Sequence, residues 1–187
     1  QIATMLANGL AMSTPDPKLV VFATFAAFFE GIAREGMEMW RYQGNLTGAN
    51  EGLNVTFHLS HVGSCTGRDH FSGWSLDWIN LAIGYLPYLD RFYAPADARG
   101  AFIAIRDLAA RTGAHLIGIP RDNLPILTQP GSDTPLWQPD SPWTDASPLR
   151  TRPGARKALL VFGATAFVAA EASDKLNDEG IAADAWV

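Results

Sequence analysis

Hydrophobic and polar positions change period several times along this chain, and each change marks an element. Ile2–Met12 spaces small and apolar residues helically, with Ala3, Leu6, Ala7 and Leu10 on one side and Gly9 allowing close packing. Ser13–Pro17 is turn chemistry. Lys18–Thr24 (K-L-V-V-F-A-T) is a continuous β-branched run, the pattern of a strand buried on both faces. From Phe25 to Tyr42 the period lengthens to three or four through Phe25, Phe28, Phe29, Ile32 and Met39, which predicts a helix. Gly44–Gly52 is a loop. Leu53–Leu59 is a second strand, and Leu76–Ile83 looks helical. Asp90–Ala94 is a third strand and Ala114–Ile119 a fourth. Between them Ala96–Arg111 is an amphipathic helix, with Phe102, Ile105 and Leu108 expected to face inward and Gly113 following its end.

Strands alternating with helices, most of the strands apolar on both faces, predict an α/β fold: a parallel β-sheet covered by helices on both faces. The four strands are expected to be parallel neighbours in one sheet. Seven of the twelve prolines then fall between Pro125 and Pro153, with little periodicity. This stretch reads as a proline-stiffened linker pinned to a surface by Trp137 and Trp143. After it come a strand at Ala158–Phe162, a helix at Ala164–Asn177 and a strand at Ala182–Val187, one β-α-β unit of a truncated second α/β domain in a separate sheet. The expected division is a first domain over residues 1–127, a linker over 128–156 and a second domain over 157–187.

Composition narrows the function classes. Of 187 residues 48% are hydrophobic and 18% charged, which suits a folded core rather than a disordered chain. A net charge of -5 argues against nucleic acid or anionic membrane as main partners. No apolar run reaches the roughly 18 residues of a membrane span. The single cysteine, Cys65, leaves no internal disulfide and fits a reducing, cytoplasmic setting.

The candidate chemistry gathers after the second strand. Phe57–Asp77 (F-H-L-S-H-V-G-S-C-T-G-R-D-H-F-S-G-W-S-L-D) takes an apolar run into a polar loop with three glycines, then towards a helix. That order puts side chains at the carboxyl edge of a sheet, where open α/β folds bind ligands. His61 directly follows the strand, and its imidazole suits donation to a hydroxyl or proton transfer near neutral pH. Asp69 could accept from a hydroxyl, and His70 lies beside it. Arg121 follows the fourth strand and offers a permanently charged fork. Ordinary loop hydrogen bonds or surface ion pairs account for these residues equally well, and Phe25 and Phe28 could simply be core. His58 and His115, alternating with apolar neighbours in strands, are expected to be structural.

Taken together the segments resemble the transketolase family of thiamine diphosphate-dependent enzymes, in the family's order and over nearly the whole chain. A-N-G-L-A (Ala7–Ala11) resembles the helix after that family's cofactor-activating glutamate. T-F-A-A-F-F (Thr24–Phe29) resembles its T-F-x-x-F segment, and S-H-V-G-S-C-T-G-R-D (Ser60–Asp69) its T-H-D-x-x-G-x-G-E-D substrate loop. A-P-A-D-A (Ala94–Ala98) and P-R-D-N-L-P (Pro120–Pro125) resemble its R-P-A-D and S-R-x-x-L-P signatures. L-V-F-G-A-T-A-F-V-A-A-E-A, followed by E-G-I-A-A, resembles the opening of its C-terminal domain.

The resemblance implies a pyrimidine-binding domain in which Phe28, with Phe25 lining the same pocket, stacks on the cofactor's aminopyrimidine ring. It implies His61 as catalytic and substrate-binding, Asp69 as a substrate contact, and Arg121 as the ligand of a substrate phosphate; His70 has no counterpart in the family and is a candidate substrate contact because it could reach the space left by Gly73. The activity implied is transfer of a two-carbon ketol unit between sugar phosphates. Mg²⁺ would be held by a diphosphate-binding partner domain or subunit, in a homo- or hetero-oligomer such as a dimer; no metal ligand is assigned to this chain, which has no G-D-G sequence. The family's glutamate would fall just before Gln1, its second loop histidine on Gly73, and an aromatic that follows the stacking phenylalanine on Gly31. A non-catalytic subunit that retains the fold therefore stays open, as do the deoxyxylulose-phosphate synthases and keto-acid dehydrogenases.

Overall fold

The computed structural model describes residues 2–13, 19–29, 54–62, 84 and 89–187. By its contacts the chain divides into two units, Gln1–Tyr93 with Leu108–Asp122, and Ala94–Asp107 with Asn123–Val187.

In the first unit, helix α1 (Ile2–Met12) precedes β1 (Val20–Phe25), a short 3-10 turn (Ala26–Phe28), β2 (Val55–Val62), β3 (Leu89–Tyr93) and β4 (Ala114–Pro120). The strands form one sheet in the order β1-β2-β4-β3, all neighbours parallel, as the pattern predicts. Residues alternate faces along a strand, so Val55, Phe57 and Leu59 of β2 join Ala114 and Leu116 of β4 on one side. There they meet Ala7 of α1, Ala26 and Phe29 in a buried cluster. The central strands β2 and β4 are largely buried on both faces.

β1 departs from the expectation of burial on both faces. Its residues alternate between partial burial and exposure: Val20 and Phe22 pack against the buried cluster, and Val21 and Phe25 lie on the opposite, exposed side. Gly113, at φ 115° just before β4, is a position that requires glycine: a Cβ there would approach the Asp90 side chain to 3.1 Å.

In the second unit the first element is α2 (Ala98–Ala109), whose last two residues, Leu108 and Ala109, belong to the other unit; β5 (Pro148–Arg150), β6 (Ala158–Leu160), α3 (Thr165–Asp178) and β7 (Asp184–Trp186) follow. A three-stranded sheet runs β5-β7-β6, with β5 antiparallel and β6 parallel to β7. Leu159 thus lies in a different sheet from Val20, as expected. α3 buries a stripe of Ala166, Ala169, Ala170 and Ser173, positions three and four apart. These alanines pack with Ala96, Ile103, Leu127, Trp137, Leu149 and Ala185.

The proline-rich stretch takes part in this core. Trp137 and Leu149 are buried, Trp143 packs beside them, and Pro148–Arg150 is a strand. Guanidinium groups secure it further: Arg106 donates to the carbonyls of Pro139 and Ser141. The inward face of α2 also differs from the expected one. Phe102 and Ile105 are exposed, and Gly100, Ile103, Ala104 and Leu108 are buried. The indole of Trp137 lies so close to Gly100 that an added Cβ would sit 3.1 Å from the ring, which fixes the rotation of the helix.

Candidate functional site

The carboxyl edge of the first sheet brings four of the sequence candidates together. The register pairs Phe25 with Ser60, Ser60 with Ile119, and Val62 with Pro120, so the ends of β1, β2 and β4 are level. Phe25 closes β1, Phe28 lies in the 3-10 turn that follows, His61 is the penultimate residue of β2, and Arg121 follows β4 directly. Arg121 is exposed.

The two phenylalanines are not core residues. Phe25 is 40% and Phe28 56% exposed, while Phe29 takes the buried place with no exposed surface. Their ring centroids lie 6.2 Å apart with a 53° interplanar angle. Two exposed rings, tilted against each other, leave apolar aromatic surface at the carboxyl edge, and the exposed face of either ring suits an offset stack with an aromatic group.

His61 is the conformational outlier. Its φ of 61° is the positive value found among the described non-glycine residues. The pairing of β2 with β4 slips between Ser60 and Val62, so His61 is the extra residue of a bulge. By alternation His61 should share the core side with Val55, Phe57 and Leu59. The bulge gives that place to Val62, which joins the buried cluster. The imidazole instead lies against the Phe25 ring, with centroids 4.6 Å apart and planes 31° from parallel. A left-handed backbone costs a side-chain-bearing residue about 1–2 kcal/mol. Such strain collects at functional sites. Sequence reading finds His61 but not its conformation. The readable trace is a phase change, from apolar residues at 55, 57 and 59 to an apolar residue at 62.

The remaining candidates divide simply. Asp69 and His70 lie outside the described residues, as do Gly31, Cys65 and Gly73. His58 is partly buried, and burial lowers its pKa below the ordinary 6.5. His115 is fully buried, 3.3 Å from the Asp90 carboxylate and beside the Tyr93 ring. Asp97, from the A-P-A-D segment, has a structural task. Its carboxylate accepts from the backbone N–H of Gly100 at 2.8 Å and of Leu127 at 2.7 Å. Among the described residues no group of three or more His, Cys, Asp or Glu side chains could hold a metal ion. No helix among them is long and apolar enough to cross a membrane.

The second unit has a cleft of about 300 Å³ walled by Leu127, Arg150, Phe167, Ala170 and Asp174. Arg150 donates to both carboxylate oxygens of Asp174, at 2.9 and 3.1 Å, and Arg152 donates to the same carboxylate.

Comparison with solved structures accounts for the order of these elements. A split-gene transketolase, described as an inactive β4 tetramer, superposes with a TM-score of 0.66 at 23% identity, over 97% of this chain and 51% of that one. The chain has a transketolase fold. The transketolase of Campylobacter jejuni gives a TM-score of 0.64 at 18% identity, over 89% of this chain and 23% of its own. A Pichia stipitis transketolase in complex with sedoheptulose 7-phosphate gives 0.64 at 17% identity, over 89% and 22%. The chain therefore spans about half the length of the first and less than a quarter of the other two. By sequence alone, no family model and no curated protein matches.

Proposed function

We propose that this chain supplies the pyrimidine-binding half of a thiamine diphosphate-dependent transketolase, active when joined to a diphosphate-binding partner. The observation that carries the proposal is the meeting of Phe25, Phe28 and His61 at the carboxyl edge of a transketolase-type sheet. The described face holds two exposed phenylalanines, which suits the apolar aminopyrimidine half of the cofactor. The split-gene transketolase that the chain resembles, itself described as inactive in a β4 tetramer, supports a division of the site between polypeptides.

Each residue has a definite task on this reading. Phe28 packs on the aminopyrimidine face, and Phe25 walls the same pocket. His61 hydrogen-bonds a hydroxyl of the donor ketose and moves a proton at that oxygen. Arg121 binds the terminal phosphate of a sugar phosphate through its bidentate fork. Asp69 and His70 read the sugar's hydroxyls. The cofactor, when bound, supplies the nucleophilic carbon and the electron sink for carbon–carbon cleavage.

The test is a two-carbon transfer assay on the chain assembled with a diphosphate-binding partner. His61→Ala should lower turnover by roughly 10²-fold or more. Arg121→Ala should raise KM for phosphorylated acceptors more than for free sugars. Unchanged turnover in the first variant returns His61 to loop architecture, and an equal rise in KM for both substrates removes the phosphate role. A second reading, a non-catalytic subunit of the same fold, draws on Gly73 and Gly31 standing where the family carries a histidine and an aromatic. Absence of transfer in a fully assembled, cofactor-saturated complex would favour it.

A further inference from the structure

We infer that Phe25 is a positioning residue for His61, and that the strained bulge of β2 exists to turn this imidazole out of the core and onto the Phe25 ring. The inference rests on the reading of His61 as a proton-transferring group, and assigns Phe25 a task beyond lining a cofactor pocket. Three features of the chain converge on it. The register of β2 against β4 slips at this one residue, leaving His61 outside the pairing. Its backbone occupies the left-handed region, at φ 61°, which disfavours a residue bearing a Cβ. The imidazole then lies 4.6 Å from the Phe25 ring in a nearly stacked arrangement, while Val62 fills the core place that regular alternation would give to His61.

Glycine would accommodate the left-handed conformation at less cost, so the backbone by itself does not call for a histidine there. A side chain that must transfer a proton gains from being held in one orientation before substrate arrives. Phe25 is suited to hold it. Its position is fixed by the β1–β2 pairing to Ser60, the neighbour of His61, and its ring also neighbours that of Phe28, with centroids 6.2 Å apart. A phenylalanine that walls the proposed cofactor pocket would thus couple occupation of that pocket to the aim of the imidazole.

Two measurements on the full 187-residue chain test the arrangement without any activity. The first compares the melting temperatures of His61→Gly and His61→Ala, both of which lose the imidazole. Without strain, alanine stabilises over glycine by restricting the unfolded chain. With a left-handed backbone the order reverses, and His61→Gly should melt about 2–4 °C above His61→Ala. An alanine variant that melts higher overturns the strained bulge. The second is the proton NMR spectrum of the His61 ring. Its resonances should be displaced upfield by the Phe25 ring current, lose that displacement in Phe25→Leu and regain it in Phe25→Tyr. Resonances that ignore Phe25 overturn the contact.

In the assembled enzyme, Phe25→Leu should lower kcat at least about tenfold, with Phe25→Tyr restoring it. An unchanged kcat in Phe25→Leu, where His61→Ala is impaired, overturns the positioning role. If His61→Ala is itself unimpaired, the catalytic reading of His61 falls and the positioning role with it; the two measurements on the chain alone still decide whether the strained stack exists.

Discussion

Asp174 accepts from Arg150 at 2.9 and 3.1 Å and from Arg152, and these hydrogen bonds, Arg150 foremost, hold its carboxyl below the ordinary 3.8 despite an opposing contribution from burial. A depressed folded-state value means that the pair stabilises fully above pH 3.8 and that this contribution is lost as pH falls through the lowered value. The carboxylate is 45% exposed, so solvent screening limits the effect to under about 1 kcal/mol. Urea midpoints of the native chain and of Asp174→Asn should differ slightly at neutral pH and converge in acid. A gap that persists at low pH would show that the substitution acts through packing instead. His61 marks the limit of residue-scale reading. Its type and its place after an apolar run are legible. Its φ is not, because the sequence carries neither glycine nor asparagine there, and only the apolar Val62 betrays the slip in phase.

Elements were legible where one periodicity dominated, and ambiguous where two stripes competed. The four strands of the first sheet follow from their β-branched and aromatic runs. On α2 both Phe102–Ile105–Leu108 and Gly100–Ile103–Ala104–Leu108 have helical spacing, and hydrophobicity favours the former. The structure buries the latter, since small residues admit the Trp137 indole and Asp97 anchors the first turn from 97 to Leu127. Both anchoring bonds end on one buried carboxylate. Asp97→Ala should therefore destabilise the fold by about 2–4 kcal/mol, from a lost cap and an orphaned buried N–H. Asp97→Asn, which keeps one acceptor, should recover about half of that loss. Equilibrium urea unfolding reads both values; a loss below about 0.5 kcal/mol for Asp97→Ala would return α2's rotation to Trp137 alone.

For the molecule as a whole, the order of weak motifs carried more than any one of them, because a fold is a sequence of elements and ordered matches multiply. The parallel sheet, the second sheet and the transketolase fold were expected from that order, and are present. The proline-rich stretch carries no sequence sign of its place in a core, because its burial comes from isolated side chains such as Trp137 and Leu149 rather than from a periodic face. The proposed function gives this chain half of a cofactor site. One aromatic stack contributes about 0.5–1.5 kcal/mol beyond burial, far short of the ~8 kcal/mol that micromolar affinity requires. Titration calorimetry with thiamine diphosphate and Mg²⁺ measures this half-site. There should be no saturable binding to the chain alone, micromolar or tighter binding once a diphosphate-binding partner is added, and weaker binding to that mixture with Phe28→Ala. Micromolar binding to the chain by itself, or binding to the mixture that is indifferent to Phe28, would contradict it.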